Sequence, residues 1–591
     1  MNDSSGLRDK GSSRWALSPV LWGLLLLLQP MVSGYGQTVA AYHNRADQAL
    51  QSFLLKFWDG GSQYLRNLYP NDGSLTGYWT YAHGWDAVMD GVERTGGQQY
   101  SGWIETLYLG QNQRGWTDNY YDDECWMGTT LTRAYDLTGN IKYLNQATSL
   151  YADIMTGWDT TCCGLIPGGM WWDKTKTQKA TAANAGAALL GARLYLHTGN
   201  SAYLNFAEKV YGYWFTNMVN GTTYQVCDHI QTNGTKVCWK FTYNEGLMIG
   251  ASVALNQATG DSTYLARAYN IANFMISSEV TTTTNGHVLY DGDNTGCGGD
   301  CHEFKGPAYR YLMQLYATNT TQVQYLNVLR SSANSIWYTA LNPTSTVFSV
   351  NWAGPFQTNV DQAQDNAACI ALNRFAEQNG VYPGSGLPAN QYEAENATLH
   401  NVGIEALYGA YTGWGYIAGW NANNTSVDFN VNCPTSGWYA LSLRYAAGAG
   451  NASRLIAVNG ANAFVNLSFG NTRVWSSYNT NTVTWNLPTG QNTITVAFNS
   501  AYGSANWLNL DNLTVIPIQI LIAAPAVSQS GVVHLTWTAA PAVSYRPQFR
   551  STLSAGTWTD LTVPVVATGP TASADDLSGL GVGRYYRVVT P

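Results

Sequence analysis

Charge is what this sequence has least of. Lys, Arg, Asp and Glu make up 11% of its 591 residues, less than half of the roughly 25% of an average protein. The formal balance is −8, and no cluster of Lys or Arg stands out. Such sparse positive charge excludes the basic face that nucleic acids and anionic membranes require. Long apolar runs are scarce too. The one strong run, Val20 through Leu28, is too short to span a bilayer comfortably. It follows Arg8, Lys10 and Arg14 and precedes Ser33, Gly34 and Gly36, so residues 1–36 read as a secretory signal. Cleavage is expected near residues 34–40, giving a secreted, extracellular or periplasmic protein without stable membrane insertion. Paired CxxC or Cys/His spacings are also lacking, which argues against zinc.

The nine cysteines suit an oxidising compartment. Cys227 and Cys238 flank Asn233-Gly234, a hairpin turn that they can bridge. Cys297 and Cys301 bracket a Gly-Gly-Asp loop that they can staple, and Cys162 and Cys163 are adjacent. An odd count leaves at least one free thiol, with Cys369 and Cys433 as candidates. In place of charge the chain carries 13% aromatics, including 23 Trp and 39 Tyr. Neutral sugars fit such a surface: their apolar ring faces stack on aromatics and their hydroxyls bond amides and carboxylates.

A repeat organises residues 45 to 380. Thr-Gly turns at Thr95-Gly96, Thr138-Gly139, Thr198-Gly199 and Thr259-Gly260 each precede a Tyr-led segment, and Ala317-Thr318-Asn319 is a degenerate copy. Apolar residues around the turns recur at helical spacing, as in Leu189, Leu190, Leu194 and Leu196. Each unit reads as helix, Gly-ended turn, helix and long loop. Five or six such hairpins close into an α/α toroid or stack as an open solenoid; the long aromatic loops at one end favour the toroid with a sugar groove. Near Tyr382-Pro383-Gly384-Ser385-Gly386 the helical period stops. Alternating runs such as Tyr439 to Tyr445 and Thr493 to Phe498 then predict a β-sandwich over 390–516. Pro517 to Val527 reads as a linker, and 528–591 as a small β-module of the fibronectin-III type.

The chemistry concentrates in Tyr121-Asp122-Asp123-Glu124. Crowded carboxylates raise one another's pKa, so a pair walled by aromatics calls for a reason. An acidic first helical turn is one. Glycoside hydrolysis is another: it needs one carboxylate and one carboxylic acid, about 5–5.5 Å apart in a retaining enzyme. Neighbouring residues reach that separation. Further along lie Gly168-Gly169-Met170-Trp171-Trp172, Lys179 with Asn184, Thr242-Tyr243-Asn244-Glu245-Gly246 and Phe304-Lys305-Gly306. Together, and in this order, these segments resemble glycoside hydrolase family 76, a family of endo-α-1,6-mannanases with an (α/α)6 barrel, here over residues 37–385. The resemblance implies retaining hydrolysis by the adjacent aspartates, with Asp122 as nucleophile and Asp123 as general acid/base. It implies no catalytic cofactor. Trp171, Trp172, Asn184, Tyr243, Asn244, Glu245 and Lys305 become candidate substrate contacts, each with a structural role as its alternative. Two departures stand out: Glu245 replaces the usual Gln, and Ala180 the usual Asn. His83, near an early helix start, lines the groove or is a satisfied structural histidine.

The β-sandwich opens with Tyr392-Glu393-Ala394-Glu395 and closes with Asn506-Trp507 through Asp511 to Val515. That pattern resembles carbohydrate-binding modules of families 35 and 6. It implies a structural Ca²⁺ held by Glu393, Glu395 and Asp511, and a sugar site at Tyr416, Trp475 and Asn506. The expectation is a multidomain, monomeric, secreted retaining endo-α-1,6-mannanase whose partner is α-mannan. The alternatives are a mannan transglycosylase on the same fold and a non-catalytic mannan-binding protein.

Overall fold

The computed structural model describes residues 38–590, apart from 165, 292–298, 461–463, 541–542 and 579–582. The signal segment and Cys297 lie outside the described residues. Residues 39–378 hold the helices α1 (Val39–Phe57), α2 (Tyr78–Thr95), α3 (Ser101–Asn112), α4 (Tyr121–Thr138), α5 (Ile141–Ile154) and α6 (Thr181–Thr198). There follow α7 (Ser201–Met218), α8 (Thr242–Thr259), α9 (Ser262–Ser278), α10 (Lys305–Thr318), α11 (Val323–Ser335) and α12 (Gln362–Gln378). No helix among the described residues is long and apolar enough to cross a membrane.

The Thr-Gly turns explain where helices stop. Gly96, Gly139, Gly199 and Gly260 end α2, α4, α6 and α8 in the left-handed region, with φ of 60°, 65°, 67° and 75°, which glycine adopts without a Cβ clash. The hydroxyls of Thr95, Thr138, Thr198 and Thr259 donate back to carbonyls four residues earlier. Asn140, Asn200 and Asp261 then cap α5, α7 and α9 with their side chains. Each even-numbered helix packs on the next, and α12 returns to α2. Odd-numbered helices lie outside this closed cycle. α2 and α4 run parallel, because Thr130 bonds the Ala82 carbonyl while Arg133 reaches Asp86 and Asp90 at 2.9 and 2.7 Å. The hairpin alternation thus points the N-termini of the even-numbered helices, and the long loops before them, to one end.

From Gln391 to Pro517 the chain forms two antiparallel sheets. One orders Gly403–Glu405, Tyr416–Ala418, Asn509–Pro517, Gly437–Ala446 and Asn479–Leu487, with Gln391–Glu393 also pairing Asn509–Pro517. The other orders Thr398–His400, Thr425–Cys433, Gly490–Phe498, Ala452–Val458 and Phe464–Phe469. Alternating burial along Thr425–Cys433 follows the period of two expected of a one-sided strand. This sandwich docks against α3, and its core is continuous with that of the helices. The segment read as a linker is built in instead: Ile518 and Ile520 pack on the core of the last module, and Ile518 donates its N–H to the Trp438 carbonyl at 2.8 Å. That module has its own core around Leu535, Trp537 and Tyr545.

Candidate active site

Asp122 and Asp123 occupy the first turn of α4. A β-like seam of backbone bonds zips the preceding residues to the Trp172 loop: Tyr121 N–H donates to the Trp172 carbonyl at 2.9 Å, and Lys174 N–H to the Asn119 carbonyl at 2.9 Å. Trp172 is thereby fixed over the carboxyls. Its indole N–H donates to Asp122 Oδ2 at 2.9 Å, and its ring lies 4.8 Å from Tyr120. The second oxygen of Asp122, Oδ1, is buried without a protein partner. Burial lifts the Asp122 carboxyl to about 7, against the pull of the Trp172 bond and the helix N–H groups. Asp123 stands higher still, well above its usual range, through burial and then the charges of Asp122, Asp118 and Asp300. Glu124, raised to about 7 by burial, accepts from Asp118 N–H and from Lys174 Nζ at 2.9 and 2.8 Å. Both carboxyls are thus held above the usual carboxylate range by burial, and as adjacent groups they titrate as a pair.

Tyr243, at the start of α8, faces the same space. Its hydroxyl donates to Asp228 Oδ2 at 2.7 Å, and its ring sits 4.3 Å from Phe304. Asp300, in the turn before α10, acts electrostatically on Asp122, Asp123 and Tyr243. Beside that turn a cavity of about 480 Å³ opens between His302, Asp361, Tyr69, Gln357 and Asn359. Sequence reading placed Tyr120 among the aromatic walls of the pair but passed over Asp118 and Asp300 as contributors; proximity of Asp118 to the acidic run was the available signal, and Asp300 had none beyond its loop.

Other expected contacts spend their polar atoms on the protein. Asn184 is fully buried, accepts from Met170 N–H at 2.8 Å and donates to the carbonyls of Met170 and Ala180. It fixes the glycine loop that presents Trp172. Trp171 is buried, with its N–H on Asp159 Oδ2 at 3.1 Å and Lys179 Nζ over its ring. Lys305 is buried beside Asp291 at 3.3 Å, not in the exposed ion pair that its charged neighbours suggest. Asn244 donates to Asp228, while its buried Oδ1 lacks a protein partner. His83 is buried between Trp79 and Trp126, 3.8 Å from Glu303 Oε1, and burial keeps it neutral.

Glu245 accepts Val226 N–H at 2.7 Å and is raised to about 8 by burial. Glu279, whose carboxyl oxygens are buried without a protein partner, is raised well above its own usual range by burial and then by the Glu245 charge. In an unfolded chain a glutamate titrates near about 4.3. The folded protein thus retains a proton that the unfolded chain has lost. That contribution to stability is full below about pH 4, declines as pH rises to about 8, and is level beyond. Glu245→Gln keeps the Val226 bond and removes this titration. Its melting temperature is expected to fall less steeply between about pH 5 and pH 8 than that of the parent; parallel slopes in a thermal-shift series would contradict this.

Cys162–Cys163 and Cys227–Cys238 are disulfides. Cys301 is also disulfide-bonded. Cys125, Cys369 and Cys433 are free and buried. In the sandwich, Tyr416 is buried with its hydroxyl on Glu405 Oε2, and Tyr408 lies between it and Trp475, whose ring is 6.4 Å away. Asn506, at φ 61°, donates to the carbonyls of Ala449 and Asn451. Glu393 and Asp511 both accept from the Thr412 hydroxyl, Asp511 also pairs with Arg444, and Glu395 accepts Trp414 N–H at 2.8 Å. No trio of His, Cys, Asp or Glu among the described residues is arranged as a ready metal-ligand set.

Residues 41–381, more than half of the chain, match the profile of glycosyl hydrolase family 76. The chain belongs to that family. It is a glycoside hydrolase. Residues 390–521 match the carbohydrate binding module of family 35. An alpha-1,6-mannanase from Salegentibacter sp. is 26% identical, with a TM-score of 0.51, covering 57% of this family 76 chain and 99% of its own. A protein from Listeria innocua is 28% identical at a TM-score of 0.52, covering 58% and 99%. The mannan endo-1,6-alpha-mannosidase of Candida glabrata is 32% identical over 185 residues, 29% of this chain and 39% of its own length. An isomaltosyltransferase from Sporosarcina globispora is 32% identical over 132 residues, 22% of this chain and 12% of its own. The chain thus spans well under half of these two curated relatives.

Proposed function

We propose that this family 76 hydrolase is a secreted, retaining endo-α-1,6-mannanase built on an (α/α)6 toroid, with a fibronectin-III-like module at its C-terminus. The observation that carries the reading is the adjacent pair in the first turn of α4, with Asp122 held by the Trp172 indole at 2.9 Å and both carboxyls raised by burial. Asp122, anchored by Trp172, attacks the anomeric carbon as nucleophile. Asp123 protonates the departing glycosidic oxygen, then deprotonates the water that releases the glycosyl-enzyme. Trp172 and Tyr243 form the walls of the sugar site, with the buried Asn244 behind Tyr243 on Asp228. Asn184, Trp171, Glu245 and Lys305 position these walls. In the module, Trp475 and the neighbouring Tyr408 offer the stacking surface. The similarity to the Salegentibacter mannanase supports the linkage.

Calcium in the module belongs to the same proposal. Arg444 pairs with Asp511 and acts on Glu393, all three carboxyls of Glu393, Glu395 and Asp511 are raised by burial first, and Glu395 Oε2 is buried without a partner. These are hard oxygen donors short of positive charge, which suits Ca²⁺. Chelation is expected to lower the melting temperature of the full chain by several degrees, reversibly on adding Ca²⁺. An unchanged value removes the metal.

Product analysis on debranched α-1,6-mannan, with and without an added acceptor sugar, tests the activity. Short mannooligosaccharides of mixed length are expected in both. Longer acceptor adducts as the main product would assign a transglycosylase, and an unaltered polymer retained by the protein would assign a binding protein.

A further inference from the structure

A cavity of about 520 Å³ lies where the sandwich docks on the helical domain, within the roughly 300–1,000 Å³ of ligand sites. Its walls come from three places: the α2–α3 turn with the start of α3, the segment from Ser385 to Ala397, and the strand Thr425–Cys433. It is remote from the catalytic pair. The turn follows the C-terminal end of α2, whereas Asp122 and Asp123 open the parallel helix α4. α2 is 18 residues long, so the two ends lie about 27 Å apart along the axis at about 1.5 Å per residue.

The lining has the chemistry of a neutral polyol site. Lys and Arg do not line it, and Glu393 is the sole carboxylate there. Gln98 and Ser101 are exposed to the cavity, and neither side chain makes a hydrogen bond to another described residue. Asn430 accepts only a 3.4 Å bond from Thr493, leaving its amide N–H groups free. The half-buried Tyr392 supplies aromatic surface beside these groups, with Phe429 in the core behind them. Uncommitted amides and a hydroxyl next to aromatic rings bond and stack neutral sugars. Anionic ligands find no complementary partner.

We propose that this domain junction is a second saccharide site, taking a short neutral oligosaccharide apart from both the groove and the loop end of the module. It holds a chain segment rigidly at the rear of the catalytic domain, on walls that Gly102 brings into contact: a Cβ there would lie 2.2 Å from the Ala397 carbonyl carbon.

The test uses the full chain silenced by Asp122→Asn and Asp123→Asn, titrated calorimetrically with α-1,6-mannotriose and, separately, isomaltotriose. In that background Ser101→Trp fills the cavity and Ser101→Ala leaves it open. With either sugar, the tryptophan variant is expected to bind one oligosaccharide fewer per chain, and the alanine variant as many as the parent, at melting temperatures within a few degrees. Equal titration of the tryptophan variant and the parent overturns the site. Crystals soaked with the same sugars separate the two proposals. Density in the groove and none at the junction overturns this site while leaving the mannanase standing. Density at the junction with an empty groove supports this site and counts against the mannanase.

Discussion

Asp122→Asn and Asp123→Asn should each leave a folded protein that no longer cleaves α-1,6-mannan. Loss of an acid/base carboxyl costs about 10²–10⁴-fold in rate, and loss of a nucleophile more, on the order of 10⁴-fold or beyond. The fold should survive because the substitutions remove a burden. Both carboxyls sit where burial penalises their anions, so a neutral amide of the same shape lowers the cost of folding near neutral pH. In the Asp122→Asn variant the side-chain amide oxygen still accepts the Trp172 N–H. Melting temperatures equal to or above the parent are expected, alongside retained oligosaccharide binding. A variant with more than about a tenth of parental kcat/KM would remove that residue from the chemistry. A variant that fails to fold would show the pair to be structural.

The second large effect concerns the docked sandwich. Ending the chain after Ser385 strips the cover from Trp58 and Trp103, which are 3% and 0% exposed. Their indole N–H groups donate to the carbonyls of Val402 and Glu395 at 3.2 and 2.8 Å. Leu399 N–H donates to the Thr106 hydroxyl at 2.8 Å across the same seam. Each uncovered indole exposes a large part of its roughly 150–250 Å². The truncated catalytic domain is therefore expected to aggregate, or to melt on the order of 10 °C or more below the full chain. Ending the chain after Pro525 instead removes a module with a separate core and should cost only a few degrees. Similar melting temperatures for the Ser385 truncation and the full chain would show that the sandwich is tethered rather than fused.

Much of this architecture was legible in residue order. Thr-Gly turns announced the ends of four even-numbered helices because only glycine takes the left-handed cap cheaply. Strand alternation announced the sandwich. The asymmetry within the site was less legible. Nothing in the order Asp122-Asp123 says that an indole from a loop fifty residues on anchors the first carboxyl, since that contact depends on the backbone seam at Tyr121 and Trp172. Asn184, Glu245 and Lys305 read as sugar partners because amide and charge are written in the sequence and burial is not. Their burial comes from the packing of even-numbered helices on both neighbours, which leaves little helix surface free. The same limit hid the docking seam: Gly60 and Gly102 look like ordinary glycines until Val402 and Ala397 are found against them. The linker reading missed that Ile518 and Ile520, written as loop residues, pack half-buried against the core of the last module.

The most direct test of the paired-aspartate account is the anomeric configuration of the first products, followed by proton NMR as debranched α-1,6-mannan is cut. Retaining hydrolysis through an Asp122 glycosyl-enzyme predicts that the new reducing ends appear as the α-anomer and only later mutarotate. New ends appearing first as the β-anomer would mean direct attack by water, and would contradict the nucleophilic role given to Asp122.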